Sequence, residues 1–141
     1  MRTNPPPSMN IFDAPSRSYC IVKRPLTATP LQALVLLNDP QLLEASRALA
    51  YSQMTGEKNK EEIVISLYRK ITCTDPGPGE VTTLSSLFDS EYSALKKDPE
   101  KAKGWLSAGY KKYKTKDDAR LAGYTIVANT IFNSDAYRTM R

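Results

Sequence analysis

Two stretches of the sequence gather side chains that bind or react. The first is GYKKYKTK, Gly109 to Lys116, which interleaves Tyr110 and Tyr113 with Lys111, Lys112, Lys114 and Lys116. Lysines displace counterions from a phosphate backbone, and aromatic rings between them stack on bases. A sulfated or carboxylated polysaccharide is an equally good electrostatic partner. The plainer reading is a solvated loop between helices whose tyrosines lean on the core. The second stretch holds Asp13, Arg17, Cys20, Lys23 and Arg24. Cations beside a thiol favour the thiolate, the reactive form of cysteine. The competing reading makes Cys20 a small buried apolar residue, with the arginines pinning the segment through ion pairs or carbonyl hydrogen bonds.

The chain contains no histidine, and that restricts the chemistry most. Ser-His-Asp and Cys-His catalysis are removed, as are His-containing zinc sites and haem attachment through CxxCH. Carboxylate, lysine, tyrosine and lone-cysteine chemistry remain. Glu61-Glu62 and Asp117-Asp118 stand at helix starts, where the macrodipole accounts for them without acid–base catalysis. Cys20 and Cys73 are open to pairing in an oxidising compartment, but two thiols define no framework. No metal site and no cofactor are expected.

Helices must position these groups. Thr29 with Pro30 and Gln32 makes a capping box with proline at the first helical position. Leu31, Leu34, Val35 and Leu37 follow. Asn38 is expected to close this helix in the left-handed region, and Asp39 to cap the next with Pro40 behind it. That helix carries Leu42, Leu43, Ser46, Leu49 and Ala50 on one face and ends near Thr55. A third starts at Asn59 with Glu62 three residues on, and Ile63, Leu67 and Ile71 form its stripe, widened by Val64 and Tyr68. Residues 74–79 break the pattern. A helix is then expected over 78–97, a short one from Pro99 closed by Gly109, and a long one over 116–132 with Leu121, Tyr124, Ile126, Val127 and Ile131 facing inward. Ser134 or Asp135 can cap a final turn. The three prolines Pro5 to Pro7 favour extended chain, so residues 1–26 read as an irregular strap, too apolar at Met9, Ile11 and Phe12 for a free tail. The expected fold is all-α: a compact bundle of about five to six helices over 27–141, with the strap lying across it.

At 141 residues the chain has the length of one ordinary domain, enough for a core without staples. Apolar content of 40% and charged content of 25% place it with globular chains, and no apolar run approaches the roughly 20 residues of a membrane span. The net charge of +5 is uneven: residues 96–120 hold nine Lys/Arg against four Asp/Glu.

PPPSMNIFDAPSRSYC, then TATPLQALVLLNDP, then IFNSDAY resemble the family known as domain of unknown function 1553. The first segment matches the family pattern through Pro5, Met9, Phe12 to Pro15, Arg17 and Cys20. The second matches through Arg24, Thr27, Thr29 to Leu34 and Leu37 to Pro40, with Ala28 in place of the usual Asn. Asn133 and Asp135 match the third, where Ala136 replaces an acidic residue. The similarity is read as spanning nearly the whole chain, with no family motif in the lysine–tyrosine stretch. The resemblance implies a fragment of a large exported protein of planctomycetes or Bacteroidetes, at the periplasm or cell surface, in a setting tied to polysaccharide use. It implies no established molecular function.

The expectation is therefore a non-catalytic helical module. Its strap and its corner at Asn38-Asp39-Pro40 would meet an upstream domain of the same protein, with polysaccharide as a further partner and nucleic acid not expected. One alternative is anionic-polymer binding through Tyr110, Lys111, Lys112, Tyr113, Lys114 and Lys116. The other is a partial active site, with Asp13, Arg17, Cys20 and Arg24 as its residues, completed by the upstream domain.

Overall fold

A computed structural model describes residues 7–15, 22–23, 27, 29–55, 59–113 and 115–138. Among these residues there are eight helices and no strand: α1 (Pro7–Ile11), α2 (Pro30–Asn38), α3 (Pro40–Met54), α4 (Lys60–Thr72), α5 (Pro78–Lys97), α6 (Pro99–Ser107), α7 (Asp118–Phe132) and α8 (Asp135–Arg138). The all-α expectation holds, and the count of five to six helices rises to eight. The additions are the two short end helices. The prolines did not keep α1 from forming, because Pro7 occupies its first position, where a missing N–H costs nothing.

Most helix boundaries follow from capping chemistry. The Thr29–Gln32 box closes in both directions, with Gln32 N–H donating to Thr29 Oγ1 at 3.3 Å and Thr29 N–H to Gln32 Oε1 at 3.2 Å. Asp39 Oδ1 accepts from Gln41 N–H at 2.7 Å and starts α3. Asp98 and Asp117 cap α6 and α7 in the same way. Asn38 differs from expectation. It ends α2 without left-handed backbone, and its side chain donates to Leu34 O at 2.9 Å, while Asp39 turns the chain in extended conformation. Gly109 closes the α6 turn at φ +77°.

The centre of the bundle is α7. Residues 121–129 are all buried, on every side of the helix rather than on one stripe. A helix without a polar face is a core helix, and α7 packs against α2, α3, α4, α5, α6 and α8. Leu121, Tyr124, Val127 and Ile131 meet Ile63, Val64, Leu67, Tyr68 and Ile71 of α4, with Leu84 and Phe88 of α5. Gly123 permits the close approach of α5: a Cβ there would stand 3.1 Å from the Phe88 ring. That ring stacks on Tyr124 at 4.1 Å. A smaller cluster of Leu95, Ala102, Ala122 and Ile126, flanked by Trp105 and Leu106, seats α6. Helix α7 begins at Asp118, two residues later than the 116–132 expected from the sequence, because Asp117 serves as its cap.

In α2 the expected pattern is reversed. Gln32 is its one buried residue, 6% exposed, while Leu31, Leu34 and Leu37 are 53%, 55% and 40% exposed. Asn129 of α7 reaches the end of α2 and donates Nδ2–H to Leu37 O at 3.2 Å, satisfying a carbonyl that the helix end leaves open.

Candidate functional sites at the N-terminal knot and the loop after α6

Gln32 is buried because it ties a knot. Its Nε2 donates to Ile11 O at 2.9 Å and to Thr27 Oγ1 at 3.2 Å. Thr27 in turn gives its hydroxyl to Asp13 Oδ2 at 2.6 Å and its N–H to the same oxygen at 3.1 Å. Asp13 holds φ +55°, a left-handed conformation that a short polar side chain tolerates better than most. Asp13, Thr27, Thr29 and Gln32 thus join the segment after α1 to the start of α2. The carboxylate that sequence reasoning offered as a reactive group is occupied in this network. Its proposed companions Arg17, Cys20 and Arg24, like the Tyr19–Ile21 part of the strap, lie outside the described residues. Because Cys20 lies outside the described residues, so does the pairing of the two cysteines; Cys73 is exposed at the end of α4. Asn38 and Asp39 are both engaged in capping. Met9 and Phe12 are 50% and 39% exposed, and Ile11 is partly buried.

The described part of the lysine–tyrosine stretch is tied to the helical body through its backbone, with Tyr110, Lys111 and Lys112 exposed. Two residues of α3 that sequence reasoning passed over clamp it. Glu44 accepts Tyr110 N–H on Oε2 at 2.9 Å and Lys111 N–H on Oε1 at 3.0 Å. Arg47, 1% exposed, donates Nη1–H to Leu106 O at 2.5 Å and Nη2–H to Lys111 O at 2.6 Å. The backbone of Lys111 is therefore held by its N–H and its C=O from successive turns of one helix. Gly109 is required here, since a Cβ would fall 2.1 Å from Glu44 Oε2. The signal was present in the sequence: Arg47 falls within the Leu43, Ser46, Ala50 stripe, where a solvated arginine does not belong.

The clamp separates the candidate binding residues. Tyr110 is fully exposed. Tyr113 packs on Tyr51, ring centroids 4.4 Å apart, and Lys111 Nζ lies 5.3 Å from the Tyr113 ring centre, so Tyr113 is engaged with the fold rather than offered as a free stacking platform. Lys112 lines a cleft of about 240 Å³ with Arg47, Lys103, Ser107 and Asp118. Lys116 is exposed, and Lys114 lies outside the described residues.

Hydrogen bonds from the Tyr110 and Lys111 amides, in that order, hold the Glu44 carboxyl below its ordinary value of 4.5, and the charges of Arg47 and Lys111 act in the same direction. A carboxylate with a lowered folded-state pKa contributes stability fully above its unfolded value and loses it as pH falls through the folded one. In an acid titration, the Tyr110 and Lys111 amide resonances are expected to shift together with a midpoint below 4.5. Glu44→Gln should abolish that step. A step that persists in the variant would assign it to another group.

The family profile of a protein of unknown function, DUF1553, matches residues 1–88, more than half of the 141-residue chain. The chain belongs to this family. The DUF1553 match contains the whole knot and the clamp residues Glu44 and Arg47, but neither the clamped loop nor α7. It ends at residue 88, so the IFNSDAY segment, read from the sequence as a third family motif, lies beyond it. No curated protein and no solved structure matches the chain. Among the described residues no helix is long and apolar enough to cross a membrane.

Proposed function

We propose that this DUF1553 chain is a non-catalytic docking module that holds a neighbouring domain of its own polypeptide through the apolar face of α1 and α2. The carrying observation is the inverted burial of α2: Gln32 faces in, and Leu31, Leu34 and Leu37 face solvent. Leucines spaced at i, i+3 and i+6 form one row along a helix, and rows of exposed apolar residues mark interaction surfaces. Met9 and Phe12 add to the exposed apolar surface from the α1 segment. At the far end, Leu37 joins Leu43 and Trp105 in a groove of about 400 Å³, a shape that receives an anchor side chain. The knot supports the same reading, because it fixes the α1 segment to α2 and makes the face rigid before a partner arrives. The resemblance to exported proteins supports a place in the periplasm or at the cell surface, which subcellular fractionation of the native organism tests.

Leu34→Glu tests the docking directly. The side chain is more than half exposed, so the variant should fold with a stability change within about 0.5 kcal/mol. Its affinity for the separately expressed neighbouring domain should fall by at least about 2 kcal/mol in a calorimetric titration. Unchanged affinity would move the interface elsewhere.

A further inference from the structure

The cleft beside the clamped loop has a lining that the docking face does not use. Lys103 of α6 and Lys112 of the loop supply two cations. Asp118 at the start of α7 supplies a carboxylate whose Oδ1 accepts from Thr115 Oγ1 at 2.7 Å, and Ser107 a hydroxyl that donates to Gly104 O at 2.8 Å and keeps acceptor capacity. Arg47 lines the same cleft, and its buried Nε–H has no hydrogen-bond partner among the described residues. The guanidinium charge adds to those of the two lysines and favours an anion in the cleft. Among the described residues Lys103 pairs with Glu100, at 3.0 Å, in a pair whose side chains are 67% and 82% exposed, and such pairs exchange partners at little cost. The clamp fixes the backbone on which Lys112 stands, so that part of the site is built before a ligand arrives.

We propose that this cleft binds one acidic sugar unit, a uronic acid, with its carboxylate toward Lys103 and Lys112 and its ring hydroxyls toward Asp118 and Ser107. Three features select this class. The volume of about 240 Å³ lies below the usual range for drug-sized ligands, so it accepts one unit rather than a run of them. The Asp118 carboxylate repels a phosphate chain, whose units each carry charge, but accepts hydrogen bonds from neutral hydroxyls. The apolar wall of Leu106 suits the C–H face of a pyranose ring. This site is independent of the α1–α2 face, and either can fail without the other.

The test is a two-dimensional ¹H–¹⁵N titration of the 141-residue chain with D-glucuronate, alongside D-glucose, L-glutamate and inorganic phosphate. Saturable shifts at Ser107, Lys112 and Tyr113 with a dissociation constant on the order of 1 mM are expected for glucuronate. Lys112→Ala, at an exposed position, should weaken binding about tenfold, and Lys116→Ala, outside the cleft, should not. Asp118→Asn should weaken glucuronate and strengthen phosphate. No saturable shift would overturn the proposal. So would glucose binding as tightly as glucuronate, glutamate or phosphate binding more tightly, or equal losses in the Lys112 and Lys116 variants.

Discussion

Arg47→Ala is expected to lower unfolding stability by about 3–5 kcal/mol, a large share of the roughly 5–15 kcal/mol typical of a single domain. The side chain is 1% exposed and gives charge-assisted bonds to Leu106 O and Lys111 O, each worth roughly 1.5–3 kcal/mol. Removing it leaves two carbonyls without their donor and opens a cavity beneath the loop. Arg47→Lys keeps the charge but loses the planar fork that spans both acceptors, and should recover less than half of the loss. Urea unfolding followed by circular dichroism reads both variants. A loss below about 1 kcal/mol for Arg47→Ala would mean that the buried guanidinium is not what holds the loop.

Residues 1–88, the span that the family profile matches, should not fold alone. That fragment lacks α7, which supplies Leu121, Tyr124, Val127 and Ile131 to the core. Burying an apolar side chain of this size contributes about 1.5–3 kcal/mol, so the four together account for roughly 6–12 kcal/mol, comparable to the whole stability of a small domain. Thermal melts of the fragment should show no cooperative transition, and adding residues 89–141 should restore one. Cooperative folding of 1–88 by itself would contradict the central place given to α7.

Several elements were legible in the sequence because their causes are local. Thr29 with Gln32, Asp39 with Pro40, Asn59 with Glu62 and Asp98 with Pro99 each satisfy orphan amides within four residues, and such chemistry needs no tertiary partner. The inward residues of α4 were also readable, since their apolar stripe meets the core. The stripe of α2 misled for a physical reason. Periodicity shows which residues share a face, not which face meets the core, and the bonds that turn Gln32 inward come from Ile11 and Thr27. The clamp was hidden for a related reason. Arg47 meets carbonyls 59 and 64 residues away in the chain, and backbone acceptors leave no side-chain signature. Only the position of an arginine within an apolar stripe pointed to it. The lysine–tyrosine stretch was visible as composition, but not the division of labour the clamp imposes, with Tyr110 outward, Tyr113 on Tyr51 and Lys112 at the cleft.

Docking through α1 and α2 is tested most directly by hydroxyl-radical footprinting of the 141-residue chain alone and within a polypeptide that includes its neighbouring domain. Oxidation rates report the solvent exposure of individual side chains. The docking account predicts that Met9, Phe12, Leu31 and Leu34 label readily in the chain alone and become protected in the longer protein, while Tyr110 labels equally in both. Equal labelling of the four apolar residues in the two forms would contradict it.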